Sequence, residues 1–201
     1  MNKYHLTNQI LHESKDDPIN KLMKLMSPIG WGWYGTDRKI HREVTDIEGR
    51  EEYQDGNNWW HTYNVMSPQE VWKHKIGTCI DQSIFQQHWL RENAPEIETT
   101  LLWIQQYHTS DHMWMTFKRD NKIYYFEHAW GDRRGIYGPF RTLEDTVKQV
   151  YKWGDIQKGY QWKKVGTFKW KPNINSQKYL KMMGYDYSKE EWEDDAPDNN
   201  E

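Results

Sequence analysis

The chain has 201 residues, a length that suits one globular domain. Its 13 Trp, 13 Tyr and 8 Met residues supply much of the apolar material for a core, so the modest aliphatic content does not indicate disorder. No apolar run approaches the ~20 residues of a membrane span or the roughly 7–15 residues of a secretory signal, which predicts a cytoplasmic protein without a membrane partner. A formal net charge of −3 gives no reason to expect a nucleic-acid partner.

The distribution of charge along the chain predicts its domain organisation. Residues 1–188 contain no internal repeat and no low-complexity linker, and we expect them to form a single domain. Residues 189–201 (KEEWEDDAPDNNE) are strongly acidic, which is typical of a disordered, solvated tail.

The first part of the chain contains one clear helix. Asp17 before Pro18 is typical of an N-cap with Pro at the first helical position, and the apolar spacing predicts a helix over 18–26. Residues 27–35 (SPIGWGWYG) predict a loop and a short strand, because Gly and Pro interrupt the aromatic residues. Residues 36–58 are charged and rich in Gly and Asn, and their pattern favours no element.

Two capping patterns predict two helices, and the second helix carries the only cysteine. The sequence SPQE at 67–70 is typical of a capping box and predicts a helix over 68–75. Thr78 followed by Asp81 predicts a further helix with Cys79 at its first position, where the helix dipole favours a thiolate. A single Cys in an intracellular protein is a candidate nucleophile. The alternative is a buried Cys that packs as a small apolar residue.

Three strands are predicted after this helix. Residues 99–107 read as a largely buried strand, and residues 112–118 alternate between two faces. Residues 122–128 are rich in aromatic residues and read as a third strand, which an Arg-Asp-Asn-Lys turn joins to the second. If Asp120-Asn121 form a two-residue loop, His112 and Glu127 lie diagonally on one side of the hairpin, within hydrogen-bonding reach.

The last part of the chain predicts two helices and one strand. Thr142 precedes a helix that ends near Trp153, and the alternating residues 161–170 predict a strand that completes the sheet. Residues 175–183 predict a final helix, with Gly184 as its C-terminal stop.

A cysteine at a helix start, a histidine on one strand and a carboxylate on the next are the three groups that thiol catalysis needs. The imidazole takes the thiol proton and returns it to the leaving group, while the carboxylate orients the ring. A zinc site is the competing interpretation, because His108, Asp111, His112 and His128 are close in sequence. Two ligands four residues apart lie on one face of a helix, but a strand does not bring them together in this way. We therefore predict no metal and no cofactor.

The same segments resemble a known family. The layout is similar to the transglutaminase-like cysteine superfamily, and within it to uncharacterised bacterial and phage transglutaminase-like proteins, over roughly residues 20–140. The chain departs from the superfamily in having Glu127 where Asp is more frequent, and HMWMTF in place of a shorter H-T-F pattern. The matching segments are IGWGW (29–33), GTCIDQ (77–82), the strand beginning at His112, FEHAW (126–130) and RGIYG (134–138).

This resemblance implies a fold, an activity and roles for particular residues. The fold would be α+β, papain-like and of the transglutaminase type, with the nucleophile helix packed on an antiparallel β-sheet. Cys79 would be the nucleophile, His112 the base and Glu127 the acid, with Asp81 as a structural companion. The reaction would be acyl transfer at a carboxamide through a thioester, by hydrolysis or by transfer to an amine.

The resemblance also implies the kind of partner. A protein or peptide would be the substrate, and its identity, the acceptor and the oligomeric state are not specified by these motifs. The alternative function is a catalytically inactive binding module that uses an aromatic-lined groove for a peptide or small ligand. The aromatic candidates for the substrate-binding surface are Trp31, Trp59, Trp60, Trp114 and Trp130.

Overall fold

The structure is a computed structural model that describes residues 5–6, 16–35, 37–45, 51–53, 63–106, 112–153 and 162–168. Within these ranges the helices are α1 (Pro18–Met26), α2 (Pro68–His74), α3 (Cys79–Asn93) and α4 (Leu143–Trp153), with a short 3₁₀ turn at Gly131–Arg133. The strands are β1 (His5–Leu6), β2 (Gly30–Gly35), β3 (Ile40–Thr45), β4 (Glu51–Tyr53), β5 (Tyr63–Asn64), β6 (Ile76–Gly77), β7 (Thr99–Gln106), β8 (His112–Arg119), β9 (Lys122–Glu127), β10 (Gly135–Phe140) and β11 (Trp162–Phe168).

The larger sheet has the strand order β1-β10-β9-β8-β7-β11. All its neighbouring strands are antiparallel except β1 and β10, which are parallel. The strand predicted at 161–170 is β11, which extends the sheet at the edge of β7, as expected. The expectation of an α+β protein with an antiparallel sheet is therefore confirmed.

The central hairpin of this sheet has the predicted register. Asp120 and Asn121 both have positive φ angles, 49° and 57°, as a two-residue type I′ turn requires. Thr116 pairs with Tyr125, and Lys118 pairs with Ile123. Continuing this register toward the open end of the hairpin places the starting residues of β8 beside the last residues of β9.

Both faces of the hairpin are covered. Met113, Met115 and Phe117 point to one face and are at most 1% exposed, in a core that includes buried side chains of α1 and α3. Trp114 and Tyr125 point to the other face, in a second cluster with Val150 of α4. Helices thus pack on both sides of the sheet, which explains why residues on both faces of β8 are buried.

A smaller sheet lies beside the start of α3. Its strand order is β4-β3-β2-β5, and β6 also pairs with β2. In the parallel pairing of β2 with β6, Gly30 lies opposite Ile76 and Trp31 opposite Gly77. The aromatic segment 29–33 is thereby brought next to the residues that precede α3.

Side chains cap three helices as their sequences predict. The carboxylate of Asp17 accepts from the backbone N–H groups of Ile19 and Asn20 at the start of α1. Ser67 and Thr78 each form a complete capping box, at α2 and α3 respectively. These local hydrogen bonds determine where the helices begin, and for α3 they place Cys79 at the first helical position.

Some predictions lie outside the described residues or missed an element. The helix predicted at 175–183 and the tail at 189–201 are outside the described ranges, as are the side chains of Trp59 and Trp60. The segment around 134–138 contains the start of β10, which had not been predicted as a strand because it includes Gly and Pro. Among the helices of the described residues, none is long and apolar enough to span a membrane.

Candidate active site

Cys79 lies at the start of α3, against the start of β8. Its side chain is half-buried and packs against the main core. One turn later on the same helix face, Ser83 donates a hydrogen bond from Oγ to the backbone carbonyl of Met113, at 3.1 Å. Because Met113 follows His112, this bond holds the first turn of α3 beside the imidazole.

His112 connects the thiol to a buried carboxylate. Its Nε2 lies 2.8 Å from Oε2 of Glu127, and its ring is also hydrogen-bonded to the side chain of Cys79. Since Nε2 faces the carboxylate, Nδ1 is the ring nitrogen that we assign to the thiol. The structure thus brings together the three residues that the sequence had singled out, Cys79, His112 and Glu127.

Glu127 is held by donors on both carboxylate oxygens. Its side chain is 2% exposed. Oε2 accepts from His112 and from the hydroxyl of Tyr125, and Oε1 accepts from the backbone N–H of Trp130 at 3.0 Å. Because three donors fix this carboxylate, its orientation toward the imidazole is rigidly defined.

The charges of His112 and Glu127 stabilise each other. Burial lowers the pKa of His112, but the charge of Glu127 and hydrogen bonds with Cys79 and Glu127 outweigh it and raise that pKa to about 10. Burial likewise raises the pKa of Glu127, yet the charge of His112 and the surrounding donors bring it below its ordinary value. An imidazolium beside the thiol is therefore the stable form near neutral pH.

Aromatic side chains enclose the imidazole. The ring of Trp114 stacks on His112 with 5.8 Å between centroids, and its indole N–H donates to Thr146 of α4. Trp114 is 1% exposed, so it supports the imidazole from within the second core cluster. Trp130 is half-buried, its ring centroid lies 4.9 Å from that of His112, and the guanidinium of Arg133 lies over its face.

Trp31 lies on the strand that pairs with the segment before Cys79. It is half-buried, packs edge-on against Trp33, and pairs through its backbone with Gly77. The side-chain amide of Gln82 links the same two segments, since Nε2 donates to the carbonyls of Gly30 and Gly77 at 3.1 and 2.6 Å. Of the predicted substrate-binding residues that the structure describes, Trp31 and Trp130 are half-buried; Trp130 contacts the imidazole of His112, and Trp31 lies on the strand that pairs with the residues before Cys79.

Asp81 anchors the segment before Cys79. The carboxylate is fully buried and accepts from the hydroxyl of Tyr63, the N–H of Met66, and both the N–H and the hydroxyl of Thr78. Burial outweighs these four hydrogen bonds and raises the pKa of Asp81 to about 6. Gly77 fits closely against this group, because a Cβ there would lie 3.0 Å from Cβ of Asp81.

Two residues of the site were missed by sequence reasoning. Tyr125 lies two positions before Glu127 on the same strand face, a spacing that was visible in the sequence. Ser83 lies one turn after Cys79, but the backbone carbonyl that it contacts belongs to a distant strand. In the part of the chain that the structure describes, no group of three His, Cys, Asp or Glu side chains could hold a metal ion.

Comparisons with known proteins add no family assignment. The sequence matches no protein-family model, and no curated protein matches it.

Proposed function

We propose that this protein catalyses cysteine-dependent acyl transfer at a carboxamide, through a thioester intermediate, on a papain-like fold of the transglutaminase type. The observation that carries the proposal is the hydrogen-bonded path from the half-buried thiol of Cys79 through His112 to Glu127. These three side chains come from a helix start and two adjacent antiparallel strands, which is the arrangement that the resemblance to the transglutaminase-like superfamily implies.

The reaction follows from the charges of the site. The thiolate of Cys79 attacks the carboxamide carbon and forms a tetrahedral oxyanion. When the carbon–nitrogen bond breaks, the imidazolium of His112 protonates the leaving amine, and a thioester remains on sulfur. Neutral His112 then takes a proton from an incoming water or amine, which attacks the thioester and releases the thiol. Glu127 stays ionised and stabilises the imidazolium throughout.

The start of α3 supplies stabilisation for the oxyanion. The backbone N–H of Cys79 lies in the first turn, where N–H groups point out of the helix end and the dipole favours negative charge. An oxyanion donor of this kind contributes on the order of 10²–10³ in rate. Trp130 contacts the imidazole and Trp31 lies on the strand that pairs with the residues before Cys79, and we assign both to the walls that hold a protein or peptide substrate.

The thiol reactivity of Cys79 tests the proposal without knowledge of the substrate. We expect iodoacetamide to alkylate Cys79 rapidly at pH 6, because the imidazolium stabilises a thiolate there. His112→Asn should slow alkylation by about tenfold or more. His88→Asn, a half-buried histidine on the same helix, serves as the matched control and should leave the rate unchanged. Equal rates for all three proteins would refute the proposal.

The substrate class is then identified by mass spectrometry. Candidate proteins and peptides are incubated with the wild-type protein and with Cys79→Ser, and their masses are compared. Hydrolysis of a side-chain amide adds about one mass unit to the target, whereas transfer to a supplied primary amine adds the amine and loses ammonia. A mass change that requires Cys79 would support the proposal, and no change over a broad panel would favour the inactive binding module.

A further inference from the structure

We infer that Tyr125 is a positioning residue of the proposed reaction, which holds Glu127 in place and determines which nitrogen of His112 carries the proton. The inference rests on the proposed function and extends it by one residue. Tyr125 is fully buried, so its hydroxyl needs a partner inside the protein. That hydroxyl donates to Oε2 of Glu127, the same oxygen that His112 contacts.

The position of the phenol oxygen places it between both other groups. It lies 3.2 Å from Nε2 of His112, in addition to its bond with Glu127. A strand spacing of two residues puts Tyr125 and Glu127 on one face of β9, and the diagonal register brings His112 from β8 to the same point. The imidazole of His112 and the hydroxyl of Tyr125 therefore both contact one carboxylate oxygen of Glu127 and also contact each other.

The protons of this group can be assigned from donor and acceptor counts. An ionised carboxylate only accepts, so the one proton of the Tyr125 hydroxyl is directed to Glu127. The phenol oxygen then presents a lone pair to Nε2 of His112, which faces two acceptors and must itself carry a proton. The other nitrogen, Nδ1, is left as the site that exchanges a proton with Cys79. Burial and the charge of Glu127 raise the pKa of Tyr125 well above its ordinary value, so the phenol keeps its proton throughout.

The packing around the ring allows the hydroxyl to be removed alone. The ring of Tyr125 contacts Trp114 and Tyr137, with centroid distances of 5.8 and 5.9 Å. Phe at position 125 keeps these ring contacts and lacks only the hydroxyl. Tyr124→Phe is the matched control, because Tyr124 is a buried tyrosine of the same strand that points to the opposite face and stacks on Phe117.

Alkylation of Cys79 in a double-mutant cycle tests the inference. The rates at pH 6 are measured for the wild type, Tyr125→Phe, Glu127→Gln and the double variant. Loss of one hydrogen bond to a buried carboxylate should slow Tyr125→Phe by about tenfold, while Tyr124→Phe stays within about twofold of the wild type. In the Glu127→Gln background, Tyr125→Phe should change the alkylation rate by less than about twofold, because Tyr125 acts through the carboxylate.

Two results would overturn the inference while the proposed function stands. One is a Tyr125→Phe rate equal to that of Tyr124→Phe, and the other is a tenfold effect that persists with Gln at position 127. In both cases the wild type would still react faster than His112→Asn, which separates this failure from failure of the proposed function.

A measurement on the unsubstituted chain supports or refutes the proton assignment independently. Histidine ¹⁵N spectra, with His112 identified by its loss in His112→Asn, are recorded as the pH is raised through 10. We expect Nε2 to keep its proton and Nδ1 to lose one. A neutral ring that is protonated on Nδ1 would contradict the role of Tyr125.

Discussion

Replacing Glu127 with Gln removes the charge of the carboxylate with little change in shape. Gln retains one oxygen that accepts a hydrogen bond, so His112 or the N–H of Trp130 keeps an acceptor. The negative charge that stabilises the imidazolium is lost, while the burial that disfavours it remains. We therefore expect the pKa of His112 in Glu127→Gln to fall well below about 10, toward its ordinary value of 6.5.

The size of this effect follows from the pKa of His112. A rise from 6.5 to about 10 corresponds to a differential stabilisation of the imidazolium on the order of 5 kcal/mol. Because the folded-state pKa lies above the unfolded value, this stabilisation is fully present below pH 6.5 and is lost as the pH rises through 10. The difference in unfolding free energy between the wild type and Glu127→Gln should therefore narrow as the pH approaches 10.

Two assays measure the effect. Histidine NMR titration gives the pKa of His112 in each protein, and urea unfolding between pH 6 and 10 gives the free energies. Alkylation of Cys79 should be slow in Glu127→Gln at pH 6 and should recover as the pH is raised, because hydroxide then supplies the thiolate.

A matched control and a clear refuting result complete this test. Glu98→Gln removes an exposed carboxylate that pairs with Lys118 at 2.8 Å, and should change neither the pKa of His112 nor the alkylation rate. If His112 in Glu127→Gln were still charged at pH 8, the carboxylate would not be the source of the imidazolium's stability, and the electrostatic account of the site would be wrong.

Two further predictions concern the buried groups around the site. Burial lowers the pKa of His128 to about 4, so the folded state loses stability as the pH falls from 6.5 to 4, by ~3 kcal/mol. His128→Gln keeps an N–H donor for the carbonyl of Ile29. In urea unfolding, this variant should lose less unfolding free energy than the wild type between pH 7 and 4.5. The same pH dependence in both proteins would contradict this prediction. Asp81→Asn places an NH₂ group opposite the donors of Thr78 or Tyr63. We expect this variant to lose ~2–4 kcal/mol of unfolding free energy at pH 7 in urea unfolding. An unchanged unfolding midpoint would show that these hydrogen bonds do not hold the start of α3.

The parts of the site that depend on local rules were predictable from the sequence. The turn at Asp120-Asn121 and the alternation of β8 determine which residues share a face, so the contact of His112 with Glu127 follows from one hairpin. Likewise, the capping box at Thr78 places Cys79 at the first position of its helix. In each case, residues close in sequence contain all the necessary information.

The parts that depend on tertiary packing were not predictable in the same way. Alternation in β8 does not reveal that α4 covers the second face, and so Trp114 was expected at a substrate surface although it is buried beneath the imidazole. Strand β10 escaped detection because its pairing with β9 offsets the weak strand preference of Gly and Pro. Both features require knowledge of which distant segment packs on the hairpin.

The step that joins the two local units is therefore the decisive one for function. The hairpin alone orients an imidazole against a carboxylate, and the helix start alone positions a thiol, whereas the proposed acyl transfer requires both. The bond from Ser83 to the carbonyl of Met113 links the first turn of α3 with the start of β8. Because Ser83 lies one turn from Cys79 and Met113 lies next to His112, this tertiary contact helps to hold the thiol near the imidazole. A small change in how α3 packs on the sheet would thus separate the proposed nucleophile from the proposed base while leaving each local unit intact.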